Sequence, residues 1–80
     1  MKRTMKRTIA FMDDVIRDNG GVVYFKDGTA IGYYGGEYSL YKNGDTLGDG
    51  IILSVEQAFR KFERDFENII TEDEFDKEEN

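Results

Sequence analysis

The residue types that perform most enzyme chemistry are scarce in this sequence of 80 residues. It has no histidine and no cysteine, so it lacks the usual near-neutral general base, the thiol nucleophile and the commonest metal ligands. Neither Ser39 nor Ser54 has an evident activating base, and the glycines match no GxGxxG or P-loop pattern. Carboxylates alone can hydrolyse glycosides, but a cleft for a sugar is hard to build in so short a chain. We expect no enzyme and no cofactor.

One stretch does carry possible metal ligands. The segment from Asp45 to Glu56 resembles an EF-hand calcium loop, in which Asp45, Asp49, Gly50, Ile52 and Glu56 would take positions 1, 5, 6, 8 and 12. Leu47 and Leu53 depart from that pattern, because they occupy positions where oxygen ligands belong. No entering helix precedes the segment either. The residues favour a glycine-rich turn before a capped helix, and calcium binding is kept as an alternative function.

Charge is distributed unevenly along the chain, whose net charge is −6. Residues 1–8 hold four bases and no acid, residues 9–62 hold eight acids and five bases, and residues 63–80 hold nine acids and two bases. Such an acidic C-terminal region repels nucleic acid and attracts basic surfaces. We therefore expect a protein partner with a basic surface and no direct binding of nucleic acid.

The beginning of the chain repeats itself, since Met1–Thr4 and Met5–Thr8 are the same four residues. One interpretation is a duplicated start in which Met5 is an alternative initiator. The other is a basic arm that touches a phosphate or an acidic partner. The segment has no apolar region of the signal-peptide type, and no run approaches the roughly 18 apolar residues that cross a bilayer. We expect a cytoplasmic protein, in a host cytoplasm if a phage encodes it, with no membrane contact.

Three strand-like runs with turn residues between them form the centre of the sequence, between Gly21 and Lys42. Asp27-Gly28, Gly35-Gly36 and Asn43-Gly44 suit two-residue turns with positive φ, which predicts a three-stranded antiparallel meander. A fourth strand near Thr46-Leu47 is an alternative. Side-chain alternation predicts one apolar set on one face: Val23, Phe25, Ile31, Tyr33, Tyr38 and Leu40. The other set is Tyr24, Tyr34, Ser39 and Tyr41.

Helical patterns flank the meander on both sides. The first runs from about Thr4 to Asp18, with Phe11 at the margin of its apolar face, and Asn19-Gly20-Gly21 ends it. Asp13 and Arg17 are spaced for an i, i+4 ion pair, and Asp13 and Asp14 are expected on the solvated face. Ser54 and Gln57 predict a capping box for a second helix from Val55 to about Ile70. Its apolar stripe is Val55, Ala58, Phe59, Phe62, Phe66, Ile69 and Ile70.

The end of the chain has two interpretations. Thr71 caps a short helix over residues 72–78 that Phe75 holds, or residues 73–80 form a frayed acidic tail. The predicted fold is therefore α+β, with a helix, a meander of three or four strands, a helix and an acidic helix or tail. Residues 1–70 would make a single α-β-β-β-α domain, followed by residues 71–80.

This layout is also that of double-stranded RNA-binding domains, but the predicted second helix begins Ser54-Val55-Glu56-Gln57 and lacks their lysines. The aromatic helix from Val55 to Phe62, followed by Glu72-Asp73-Glu74-Phe75, resembles the small acidic anti-CRISPR proteins of phages that block Cas9 by mimicking DNA. The basic residues Lys2 to Arg7 depart from that plan. The resemblance implies that carboxylates of this chain replace phosphates in a basic channel of its partner. A Cas nuclease is one such partner. The candidate carboxylates are Asp45, Asp49, Glu72, Asp73, Glu74 and Asp76.

A second hypothesis uses the five tyrosines, which all lie between residues 24 and 41. Tyrosine offers a large contact area, few rotatable bonds and a polar tip. Tyr24, Tyr34 and Tyr41 would then form the binding face of a general interaction module or of a homodimer. The alternative without a binding role is that these tyrosines are present because tyrosine favours β-strands.

Overall fold

The computed structural model describes residues 7–42 and 50–78, with side chains as far as Phe75. The elements in chain order are helix α1 (Ile9–Asp18), strands β1 (Val22–Phe25), β2 (Thr29–Tyr34), β3 (Glu37–Lys42) and β4 (Ile51–Leu53), helix α2 (Val55–Arg64), a 3-10 turn (Phe66–Asn68), strand β5 (Ile69–Ile70) and helix α3 (Glu72–Glu78). The α+β class and the antiparallel meander are confirmed, and the sheet extends to five strands.

Helix α1 is shorter than its apolar periodicity predicts. The Thr8 hydroxyl accepts a hydrogen bond from the Phe11 N–H at 3.1 Å and caps the helix, which therefore begins at Ile9 and not near Thr4. Asn19 ends it, and Gly20 and Gly21 follow with φ of 81° and 99°. These left-handed conformations strain residues that carry a Cβ, which explains the predicted stop.

The strands lie in the order β4-β3-β2-β1-β5, and every pairing is antiparallel. Tyr34 pairs with Glu37 across Gly35-Gly36, whose φ values of 62° and 86° fit the predicted two-residue turn. The prediction for Asp27-Gly28 is wrong. Only Gly28 has positive φ there, and the loop has three residues because the Asp27 carboxylate binds the Thr29 N–H at 3.0 Å.

The fourth strand also differs from its prediction. It forms at Ile51–Leu53 and pairs with β3, whereas the predicted turn at Asn43-Gly44 and the predicted strand near Thr46-Leu47 lie outside the described residues.

Helix α2 begins as predicted and ends early. The Ser54 hydroxyl accepts the Gln57 N–H and the Gln57 amide accepts the Ser54 N–H, so both halves of the capping box are present. The helix stops at Arg64 and does not reach Ile70. Ile69 and Ile70 instead pair with Phe25 and Tyr24 as β5, because two β-branched residues gain a strand partner at the open edge of β1.

Helices α1 and α2 both pack on one face of the sheet, which we call the core face. Eight buried residues form the core there: Met12, Ile16, Val23, Phe25, Ile31, Tyr38, Ala58 and Phe62. The predicted division of the strand side chains is thus confirmed, although Leu40 is only partly buried and Tyr33 is exposed. Phe11 does lie at the margin, with its ring centroid 6.0 Å from that of Phe62.

The acids of α1 have partners other than the predicted one. Arg17 pairs with Asp14 at 2.5 Å and not with Asp13. Asp13 accepts a hydrogen bond from the Tyr38 hydroxyl of β3, so it is not a purely solvated carboxylate. Burial and this bond raise the pKa of Tyr38. The contact joins α1 to the sheet across the core margin.

Candidate functional site

The face of the sheet opposite the core carries the candidate functional surface, and we call it the second face. Cross-strand register places there Val22, Tyr24, Ala30, Gly32, Tyr34, Glu37, Ser39, Tyr41, Ile52 and Ile70. Helix α3 covers part of it, since Phe75 is buried and its ring centroid lies 4.8 Å from that of Tyr24. The second face therefore has a covered part beside β1 and an open part beyond it.

Helix α3 is held at its first turn by a second capping box. The Thr71 hydroxyl accepts the Glu74 N–H at 3.2 Å, and the Glu74 carboxylate accepts the Thr71 N–H at 3.2 Å. The helical interpretation of this segment is thus confirmed. Acidic side chains in a first turn also interact favourably with the helix dipole.

Three of the predicted binding carboxylates are consecutive residues of this turn. Glu72, Asp73 and Glu74 are all exposed, and Phe75 anchors the helix that carries them. Asp76 belongs to the same helix, although its side chain is not described. Asp45 and Asp49 lie outside the described residues, so the segment that resembles a calcium loop is described only from Gly50 onward.

The three predicted tyrosines have different surroundings. Tyr24 is half-buried beneath Phe75. Tyr41 lies against two glycines: a Cβ on Gly32 would come within 3.0 Å of its ring, and one on Gly50 within 2.6 Å. Tyr34 is 90% exposed. Of the three, Tyr34 is the one that offers a free aromatic ring to a partner.

Glu37 joins Tyr34 on this surface, and sequence reasoning missed it. The two residues are opposite each other across the Gly35-Gly36 turn, and both are exposed. The signal was present in the sequence, because a two-residue turn makes its flanking residues a cross-strand pair on one face.

The basic side chains at the end of α2 already have acidic partners within the chain. Lys61, with its side chain 10% exposed, contacts Asp65 at 2.7 Å and Asp27 at 3.4 Å, and Arg64 contacts Asp65 at 3.2 Å. Hydrogen bonds from Arg64 and Lys61 hold the pKa of Asp65 below its usual value. Among the described side chains, no ion pair involves Glu37, Glu72 or Asp73. The carboxylates of Glu37, Glu72 and Asp73 are thus available to an outside cation.

Other sites of the described chain offer less chemistry. A shallow cleft between α1 and β2 is lined by Asp13, Ile16, Arg17, Gly20, Gly21 and Tyr33. The described residues contain no group of three or more acids that could hold a metal ion. No described helix has the length and apolar character to span a membrane.

Comparison with protein-family models, curated proteins and solved structures gave no match to this chain. Its function is therefore inferred from the surfaces that the fold presents.

Proposed function

We propose that this chain is a protein-binding inhibitor that occupies a basic, nucleic-acid-binding surface of its partner. The observation that carries the proposal is the first turn of α3, where Glu72, Asp73 and Glu74 are exposed and consecutive on a capped helix. Their carboxylates would take the place of phosphates in the partner's Arg- and Lys-lined channel.

A fixed position of these carboxylates before binding increases the affinity that they can contribute. A disordered acidic tail attracts a basic surface but loses conformational freedom when it binds, which reduces the net gain. Phe75 packs on Tyr24 and Thr71 caps the helix, so much of that ordering is completed during folding. A basic channel also focuses positive potential, and a body of net charge −6 is steered towards it.

Tyr34 and Glu37 extend the proposed surface. They lie on the same face of the sheet as α3, at the tip of the β2–β3 hairpin. Tyr34 supplies the apolar contact that charged groups lack, and Glu37 adds a further carboxylate. The resemblance to phage anti-CRISPR proteins makes a Cas9 nuclease the partner to examine first.

The decisive experiment measures DNA cleavage by a panel of Cas9 nucleases with and without this protein. We expect the unmodified chain to inhibit at least one of them, with potency that falls as salt rises. The triple variant Glu72→Lys, Asp73→Lys, Glu74→Lys should lose inhibition, because it reverses the charge of this turn and also removes the Glu74 carboxylate that caps α3.

A matched control separates the surface from the net charge. The variant Asp14→Lys, Asp18→Lys, Glu63→Lys changes the net charge by the same amount on exposed positions of α1 and α2. It should retain most of the inhibition. Equal loss in both variants would show that only the overall charge acts, and the absence of inhibition across the panel would remove Cas9 nucleases as partners.

A second candidate function is a general interaction module that binds through its tyrosines. The 90% exposure of Tyr34 favours it. Under this function, Tyr34→Ala abolishes association with the partner and the triple lysine variant of α3 does not. Tyr24 and Tyr41 are poor probes of it, because both pack inside the second face.

A further inference from the structure

Strand β4 is the edge strand on one side of the sheet, and it is apolar. Its three residues are Ile51, Ile52 and Leu53, of which Ile51 is 60% exposed and Ile52 is 58% exposed. Exposed edge strands of soluble proteins are usually kept from pairing with another chain by shortness, a charge, a proline or a bulge, and of these β4 has its shortness. None of the three residues of β4 is charged or is proline.

The register determines which way the backbone of β4 points. The Tyr33 N–H bonds to the Gly21 carbonyl at 3.0 Å, so Tyr33 directs its backbone groups away from β3. Bonded and non-bonded pairs alternate in an antiparallel ladder, so Ser39 bonds to β2 while Tyr38 and Leu40 bond to β4.

The same alternation continues into β4 itself. Ile51 and Leu53, opposite Leu40 and Tyr38, use their N–H and C=O groups within the sheet. The N–H and C=O of Ile52 therefore point out of the sheet edge.

We infer that β4 pairs with β4 of a second copy of this chain, antiparallel about a twofold axis at Ile52. A strand that pairs with itself needs, on the axis, a residue whose donor and acceptor both face outward, and Ile52 meets this condition. Two Ile52 residues then exchange two hydrogen bonds. Ile51 of each copy lies opposite Leu53 of the other on the core face, so every cross-axis pair is aliphatic.

Charge opposes a second copy less at this edge than at the opposite one. Helix α3 packs on β1, far from β4 in the strand order, so the dimer places the two acidic helices about seven strand spacings apart, or roughly 34 Å. That separation is several times the Debye length of about 8 Å at physiological salt, which screens their repulsion. The opposite edge, β5, has two residues and leads directly into α3, so pairing there would bring the acidic helices together.

This inference does not depend on the proposed function. Sedimentation equilibrium over a concentration series should show an association from the monomer mass of 9.2 kDa to twice that mass. Amide hydrogen exchange of the unmodified chain should show protection at Ile52 that increases with protein concentration. Ile52→Lys should weaken the dimer about tenfold or more, since it sets two like charges opposite each other on the axis.

Tyr34→Lys is the matched control, because it adds the same charge at an exposed position on the second face and should leave the dimer intact. Ile52→Thr keeps a β-branched side chain and the outward backbone groups, so it should still dimerise. The inference is overturned if the chain stays monomeric at every concentration. It is also overturned if a dimer forms without protection of the Ile52 amide, or persists unchanged in Ile52→Lys.

Discussion

At the scale of single residues, Lys61 is the side chain whose environment departs most from what its type suggests. It lies on α2 but is buried, with its ammonium 4.6 Å from the centroid of the Phe25 ring and in contact with Asp65 and Asp27. Asp27 belongs to the β1–β2 loop, so this one cation links the end of α2 to the meander. Its aliphatic stem also covers apolar surface.

Replacing Lys61 with alanine should lower the free energy of unfolding by about 2–3 kcal/mol, because two carboxylates lose a partly buried partner. Arg64 still contacts Asp65, which keeps the loss below that of a fully orphaned charge. Urea denaturation measures the effect.

Arg60→Ala is the control for this change. Arg60 is exposed, and its 4.0 Å distance to Glu56 is long for an ion pair. Its removal should therefore cost no more than about 0.5 kcal/mol. Similar losses in both variants would mean that the Lys61 network contributes nothing beyond a surface pair.

Single residues also mark the limit of prediction from the sequence. The caps at Ser54 and Thr71 and the glycines after α1 could be predicted, because their effects are local to the backbone. The bond from Tyr38 to Asp13 and the burial of Lys61 could not. Both depend on which element packs against which, and no local pattern contains that information.

At the scale of elements, the candidate site depends on how α3 is attached to the sheet. Two features hold it in place, the capping box at Thr71 and the contact of Phe75 with Tyr24. The helix has seven residues, which is too short to be stable alone in water. Its order therefore comes from packing.

Phe75→Ala should release α3 while the rest of the sheet stays folded. Hydrogen exchange should show lost protection in residues 72–78 and unchanged protection in β1, β2 and β3. Under the proposed function, the variant should also inhibit less, since its carboxylates are no longer held in one geometry.

Phe62→Ala provides the contrast, because Phe62 is fully enclosed in the core. Its loss should cost about 3–5 kcal/mol and unfold the whole domain. If Phe75→Ala also unfolds β1, then α3 is part of the core's cooperative unit and not a separately released element.

The elements show why the fold was easier to predict than the site. Turn glycines and alternation gave the meander and its two faces, and confirmed predictions there rest on short-range rules. The predicted end of α2 was wrong, because Ile69 and Ile70 fit the apolar stripe of a helix as well as they fit a strand. The free edge of β1 decided between the two, and its availability depends on the tertiary fold.

At the scale of the whole molecule, two carboxyls whose pKa values are lowered in the folded state make stability depend on pH. Hydrogen bonds from Arg64 and Lys61 lower the pKa of Asp65. Partial burial opposes the same effect at Asp27, but hydrogen bonds from Thr29 and the charge of Lys61 outweigh it, so the pKa of Asp27 is also lowered. Both carboxyls bind protons more readily in the unfolded chain.

The free energy of unfolding should therefore decline as the pH falls from about 5 towards 3, through and below the unfolded-state pKa of these two carboxyls. Above that range their contribution is fully present. Urea titrations at a series of pH values measure the decline, and Asp65→Asn should make it shallower. An identical slope in the variant would show that other carboxyls cause the acid sensitivity.

The pairing of β5 with β1 has a consequence for how the protein matures. Each hairpin of the meander closes over a few residues, but Tyr24 meets Ile70 only when the early and late halves of the chain come together. Closing so long a loop is entropically costly, so this step is expected late in folding. A newly synthesised or partly folded chain carries the same carboxylates without the paired strand that leads into α3. Under the proposed function, binding should therefore begin only after β5 has paired with β1.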